Sequence, residues 1–94
     1  MTSTFSATIE RFEKDMGWYY VSVPTNLCEP LLHLADRGLI AVTASVGESS
    51  WDTSLLPMGD GTHFLALPAK VRSKEDLSQG MEIEASFKTR VRNS

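Results

Sequence analysis

From Thr4 to Phe12 the chain alternates, with Phe5, Ala7 and Ile9 on one side and Ser6, Thr8 and Glu10 on the other. A period of two residues is that of a strand with one buried face. Glu13 to Gly17 is polar and ends in glycine, as a hairpin loop with a positive-φ position requires. Trp18 to Val23 is aromatic and β-branched, hence a second strand, which Pro24 ends because proline brings no N–H to a ladder. The period then changes. Leu27, Leu31 and Leu34 fall at helical spacing, which predicts a helix over 25–37 capped by Thr25 or Asn26 and closed by Gly38, with Pro30 keeping it short. Leu39 to Val46 returns to alternation with both faces fairly apolar, the mark of a central strand.

The second part of the chain repeats this grammar. Ser50–Leu56 puts Trp51, Thr53 and Leu55 on one face, Pro57 to Gly61 forms a loop, and Thr62–Leu67 is the return strand ended by Pro68. A short helix over 69–74, a turn at Ser78 to Gly80 and a last strand over 81–91 follow. That strand is expected to point Met81, Ile83, Ala85, Phe87 and Val91 inward, with Glu82, Glu84, Ser86, Lys88, Arg90 and Arg92 outward. Gly17 and Gly61 lie 44 residues apart, as do Pro24 and Pro68, while Gly38 and Gly80 lie 42 apart. Landmarks at one near-constant offset mark an internal repeat, here about 4–46 and 50–91. One half is too short to bury its own apolar faces. Two halves exchanging strands about a pseudo-twofold would close a barrel and remove exposed edges. The expected fold is therefore all-β, a small closed barrel with an internal pseudo-twofold repeat and two short helices, in a single domain over 1–94.

The stretch from Leu67-Pro68 to Gly80-Met81-Glu82-Ile83 resembles the strand–Pro–short helix–Gly–strand signature of swapped-hairpin barrels of the AbrB/MraZ type. More specifically, Thr53 to Leu65 followed by Val71-Arg72 is similar to the small bacterial family called domain of unknown function 1905, and Trp18 to Pro24 fits the same family. The resemblance implies a double-split β-barrel, found alone or beside a bacteriocin-protection domain of which these residues carry no part. It implies no established activity. One departure is Met81-Glu82, where family members commonly follow the glycine with an aspartate.

Composition narrows the function classes. Ninety-four residues, 41% of them hydrophobic and 22% charged, fit one folded domain. A net charge of −3 argues against nucleic acid as a partner, since that binding rests on clustered Lys and Arg at phosphates. The lone Cys28 makes no internal disulfide and calls for no oxidising compartment. No apolar run is long enough to span a bilayer, so a cytoplasmic protein is expected, and because both halves of the barrel lie in one chain, a monomer.

Candidate chemistry centres on the loop. Asp52, Ser54, Asp60 and His63 bracket it, but a Ser–His–Asp arrangement would need a nucleophile on a strained turn, whereas Ser54 lies in a strand pattern. No catalytic residue is assigned. Gly59-Asp60-Gly61 offers backbone N–H groups to an anion with Arg72 or His63 adding charge, although Asp60 would repel that anion and both glycines suit a plain hairpin. Cys28, His33 and His63 are too widely spaced for a zinc signature, and neither metal nor cofactor is expected. The basic residues Lys70, Arg72, Lys74, Lys88, Arg90 and Arg92 gather in the last quarter. The DNA-binding habit of AbrB-like relatives makes nucleic acid the second reading, against which Glu82 and Glu84 share the last strand and an edge guarded by Lys and Arg explains the stripe. The first reading is a non-catalytic binding or accessory module. It would take a small ligand or protein partner at a barrel end lined by Trp18, Ser54, Gly59, Asp60, Gly61, His63 and Arg72.

Overall fold

Ile9 is where the sheet turns back on itself. In a computed structural model that describes residues 2–13 and 17–90, β1 (Thr2–Thr8) pairs antiparallel with the last strand, β7 (Glu82–Thr89), from Thr2↔Lys88 to Thr8↔Glu82. Ile9, fully buried, bonds to the turn before β7 through Ile9 N to Met81 O (2.8 Å) and Gly80 N to Ile9 O (2.9 Å). The chain then leaves β7. As β2 (Glu10–Arg11) it pairs with β3 (Tyr19–Val23) through Glu10↔Tyr20 and Arg11↔Tyr19.

The second half does the same at Leu55. After β4 (Ile40–Val46), the strand β5 (Ser49–Pro57) pairs with β4 from Val46↔Ser49 to Ile40↔Leu55, then swings to β6 (His63–Ala66) through Leu56↔Phe64 and Pro57↔His63. Phe12 N donates to Trp18 O in one half and Met58 N to Thr62 O in the other, closing equivalent hairpins. The strands follow the order β1-β7-β4-β5-β6-β3-β2. Because β1 and β2 are one segment bent at Ile9, the two ends of that order meet. The sheet is a nearly closed antiparallel barrel.

The pairing is twofold in its register. Val21 and Leu65, 44 residues apart, pair with each other, while Tyr20↔Ala66 and Ser22↔Phe64 exchange under the same offset. β4 and β7 pair across the other side of the axis, from Val42↔Thr89 to Val46↔Ala85. Equivalent positions are buried alike: Val21 with Leu65, Val23 with Leu67, Ala44 with Ala85, Ile9 with Leu55. Each large side chain removed from water contributes about 1.5–3 kcal/mol, so the core stabilises both halves through one shared interior. Tyr20 and Phe64, equivalent across the axis, point away from that interior and form an outer aromatic cluster with Phe12 (ring centroids 4.1 and 5.1 Å from Phe12).

Three sequence expectations change. The helix predicted over 25–37 is α-helical only in α1 (Thr25–Cys28) and continues as a 3-10 turn over Glu29–Leu34. Pro30 has no N–H for the α ladder, so the chain tightens. Neither Thr25 nor Asn26 caps this helix; its first position follows Pro24 without a side-chain bond, and Leu34 ends 49% exposed rather than buried. The last strand begins at Glu82, and Met81 is 40% exposed because it serves the Ser78–Met81 turn, its sulfur receiving the Ser78 hydroxyl at 3.2 Å. Val91 and Arg92 lie outside the described residues, as do residues 14–16 of the first hairpin loop. The helix expected at 69–74 is α2 (Ala69–Lys74), ended by Asp76 at φ 54.

Candidate functional site

The antiparallel register continues only briefly where each long strand changes partner, so each leaves a split. One split opens between β5 and β6, where Thr53 would face Leu67. The other opens between β1 and β3, where Ala7 would face Val23. Past the proline that ends β3 or β6 the chain enters a short helix, α1 or α2.

Beside the β5–β6 split that helix is α2. Pro68 turns the chain out of the sheet, and Val71 is the helix residue buried beneath. Arg72 folds back so that its Nε donates to Leu67 O at 3.1 Å and its guanidinium lies 3.9 Å from the centre of the Tyr19 ring. Tyr19 packs against the core on the face shared with Val21. Arg11 approaches the same ring at 5.7 Å, with its Nε on Gly17 O at 3.3 Å. Gly17 has φ 61, and a Cβ there would strike the Arg11 guanidinium, so glycine is needed for both conformation and space. Trp18 sits beside them with 45% of its surface exposed. Together Trp18, Tyr19, Thr53, Leu67 and Arg72 border a concave opening of about 330 Å³.

The remaining expected site residues lie elsewhere. His63 enters β6 at the end away from Leu67, is 5% exposed, and bonds through Nε2 to Gly38 O at 3.1 Å. Its Nδ1 has no partner among the described residues. Ser54 is one residue from the inward Leu55 and pairs with Ala41, on the face opposite His63. The two therefore do not meet. Ser54 instead borders a second opening of about 390 Å³ with His33, Asp36, Leu39 and Arg90. Gly59 and Gly61 both have φ 94, with open space where a Cβ would be. Asp60 accepts from the Thr62 hydroxyl and, at 3.0 Å, from Thr62 N, and these bonds hold its carboxyl below the ordinary value. Asp52 accepts from Thr43 Oγ1 at 2.9 Å on the outer face. The loop therefore satisfies its own polar groups, and neither it nor His63 borders the opening that holds Trp18 and Arg72.

Of the basic residues, Arg72 is stacked on Tyr19, and Arg90 donates through Nε to Val42 O and through Nη2 to Thr53 O, each at 3.0 Å. Arg72 borders the split, and Arg90 ties the end of β7 to β4 and β5. Cys28 is 2% exposed, and burial pushes its thiol pKa up. Burial, followed by the charge of Glu10, raises that of Tyr20. His33 is exposed on the 3-10 turn, and among the described residues no group of three His, Cys, Asp or Glu is placed to hold a metal ion. No helix among them is long and apolar enough to cross a membrane.

Trp18 and Arg72 were candidates from the sequence, Arg72 as a charge beside the glycine loop, but Tyr19, Thr53 and Arg11 were missed. Tyr19 read as one aromatic among three, and nothing local ties Arg11 to a ring that its own hairpin brings back. A family model described as "Domain of unknown function (DUF1905)" matches residues 5–86. No curated protein matches the sequence.

Proposed function

We propose that this chain, which belongs to the DUF1905 family, is a non-catalytic binding module whose small ligand sits in the split between β5 and β6. The observation that carries this reading is the meeting of Trp18, Tyr19 and Arg72 around one concave opening of about 330 Å³. An exposed indole beside a guanidinium held on a ring is an apolar surface with one oriented polar group, the usual make-up of a ligand site. The module works as a monomer, since both halves of the barrel lie in one chain. It works in the reducing cytoplasm, where the lone, buried Cys28 stays a thiol.

The test is a ¹H–¹⁵N NMR titration against a small-molecule library and, separately, a short DNA duplex. Shifts gathered at Trp18, Tyr19, Thr53, Leu67 and Arg72 with a small molecule are expected. Shifts along Lys70–Lys74 and Lys88–Arg90 with DNA, weakening steeply with salt, would replace this reading with nucleic-acid binding. Sedimentation should give the monomer mass.

A further inference from the structure

We infer that the ligand of this split is a small planar organic anion, an aromatic ring resting on Trp18 and its oxyanion on the outer edge of Arg72; this rests on the reading that the β5–β6 split is the binding site. The protein carries a net charge of −3, with 12 acidic against 9 basic side chains. Yet among the described residues the border of this opening contains no acid, and the one charged residue among them is Arg72. The rest of the border is Trp18, Tyr19, Leu67, Pro68 and small residues. One cation in an otherwise apolar concavity selects a molecule with one anionic group and a flat apolar body.

Arg72 is prepared for that role. Its Nε is committed to Leu67 O and its plane is fixed by stacking on Tyr19, while neither Nη has a partner among the described residues. A guanidinium so held presents two parallel N–H donors to a carboxylate with little rotamer entropy left to lose. Arg11, on the same ring, adds a second positive charge within range of the opening. Neither guanidinium is engaged by a carboxylate among the described residues. Where Arg90 gives Nε and one Nη to backbone carbonyls, Arg72 gives only its Nε and keeps both Nη groups for a ligand.

The test compares 1-naphthoate with its neutral isostere 1-naphthamide by NMR on the wild-type protein, reading the Trp18 indole and the Arg72 Nε signals. Naphthoate should bind about tenfold or more tightly than the amide, as expected for a charge-assisted pair, and its affinity should fall as salt rises. Arg72→Gln should weaken naphthoate about tenfold and the amide much less. Arg72→Lys, which keeps the charge but not the fork, should fall between them, and a dispersed spectrum checks that each variant folds. Equal binding of acid and amide on the wild type, with shifts at Trp18 and Tyr19, would overturn the anion and keep the site. Absence of shifts at these residues with either ring would overturn both.

Discussion

The two splits of this barrel occupy equivalent places and are finished in opposite ways. Between β1 and β3 the position equivalent to Arg72 is Cys28, 2% exposed, and the position equivalent to Tyr19 is His63, whose imidazole is spent on Gly38 O. At that split the two positions are a buried thiol and a buried imidazole. Between β5 and β6 the same two positions hold a guanidinium stacked on a phenol ring, and beside them a concavity of about 330 Å³ remains. Since the register is symmetric and the core residues match, the fold itself does not require the second split to stay open. What differs is chemistry laid over a common frame, and that is where a binding function is best sought.

Exchanging the two finishing residues gives the largest effect. Cys28→Arg would place an unpaired charge and a long stem in a filled site, and should destabilise by about 3 kcal/mol or more in urea unfolding. Arg72→Cys removes a half-buried stem and one cation–π contact, a loss of about 1 kcal/mol. Equal losses would mean that the second split is as much a packing element as the first, and the contrast would fail.

The shared frame is tested at the two bends. Ile9→Ala and Leu55→Ala each delete a fully buried side chain where a strand changes partner, and each should cost about 2–5 kcal/mol, similar in both halves. If Ile9→Ala cost about 1 kcal/mol or less while Leu55→Ala kept its full effect, closure through the N-terminal strand would be dispensable and the halves unequal in the core too.

Much of that frame was legible in the chain. Alternation located every long strand, and the recurrence of Gly17/Gly61 and Pro24/Pro68 foretold a symmetry now visible in the Val21↔Leu65 pair. The first helix was misread because Leu27, Leu31 and Leu34 keep α spacing through Pro30, while the backbone there is 3-10 and turns Leu34 outward. The site was half legible. Trp18 and Arg72 were both candidates, but His63 was grouped with them because it is near the glycine loop in sequence. Its actual partner, Gly38 O, comes from the connection before β4, and no local pattern records that.

His63 is the next test, since it finishes the closed split. His63→Ala would strip Gly38 O of its side-chain donor and leave a void, for a loss of about 1–3 kcal/mol by urea unfolding. Ligand shifts at Trp18 and Tyr19 should be unaffected. A change in binding there would mean that the two splits communicate, and the division between a closed end and an open one would need revision.

The smallest effect concerns the loops that join each strand pair. In the second half Asp60 is fully exposed, and the Thr62 hydroxyl and N–H hold its carboxyl below the ordinary value of 3.8. A carboxyl depressed in the folded state adds stability that is present above its unfolded pKa and is lost as pH falls through the folded value. Thr62→Val, which loses part of that depression, should therefore be slightly less stable than wild type at neutral pH, with the difference closing as pH falls below about 4. The direct reading is the Asp60 carboxyl titration by NMR, which should move to higher pH in the variant, as the hydroxyl bond is lost and the backbone bond remains. An unchanged titration would mean that the backbone N–H alone sets the carboxyl, and that the turn is made by Asp60 without Thr62. Either way the loop acts on itself at the His63 end of β6, while the opening bordered by Trp18 and Arg72 lies past the other end. Ligand binding should therefore be the same in Thr62→Val as in the wild type.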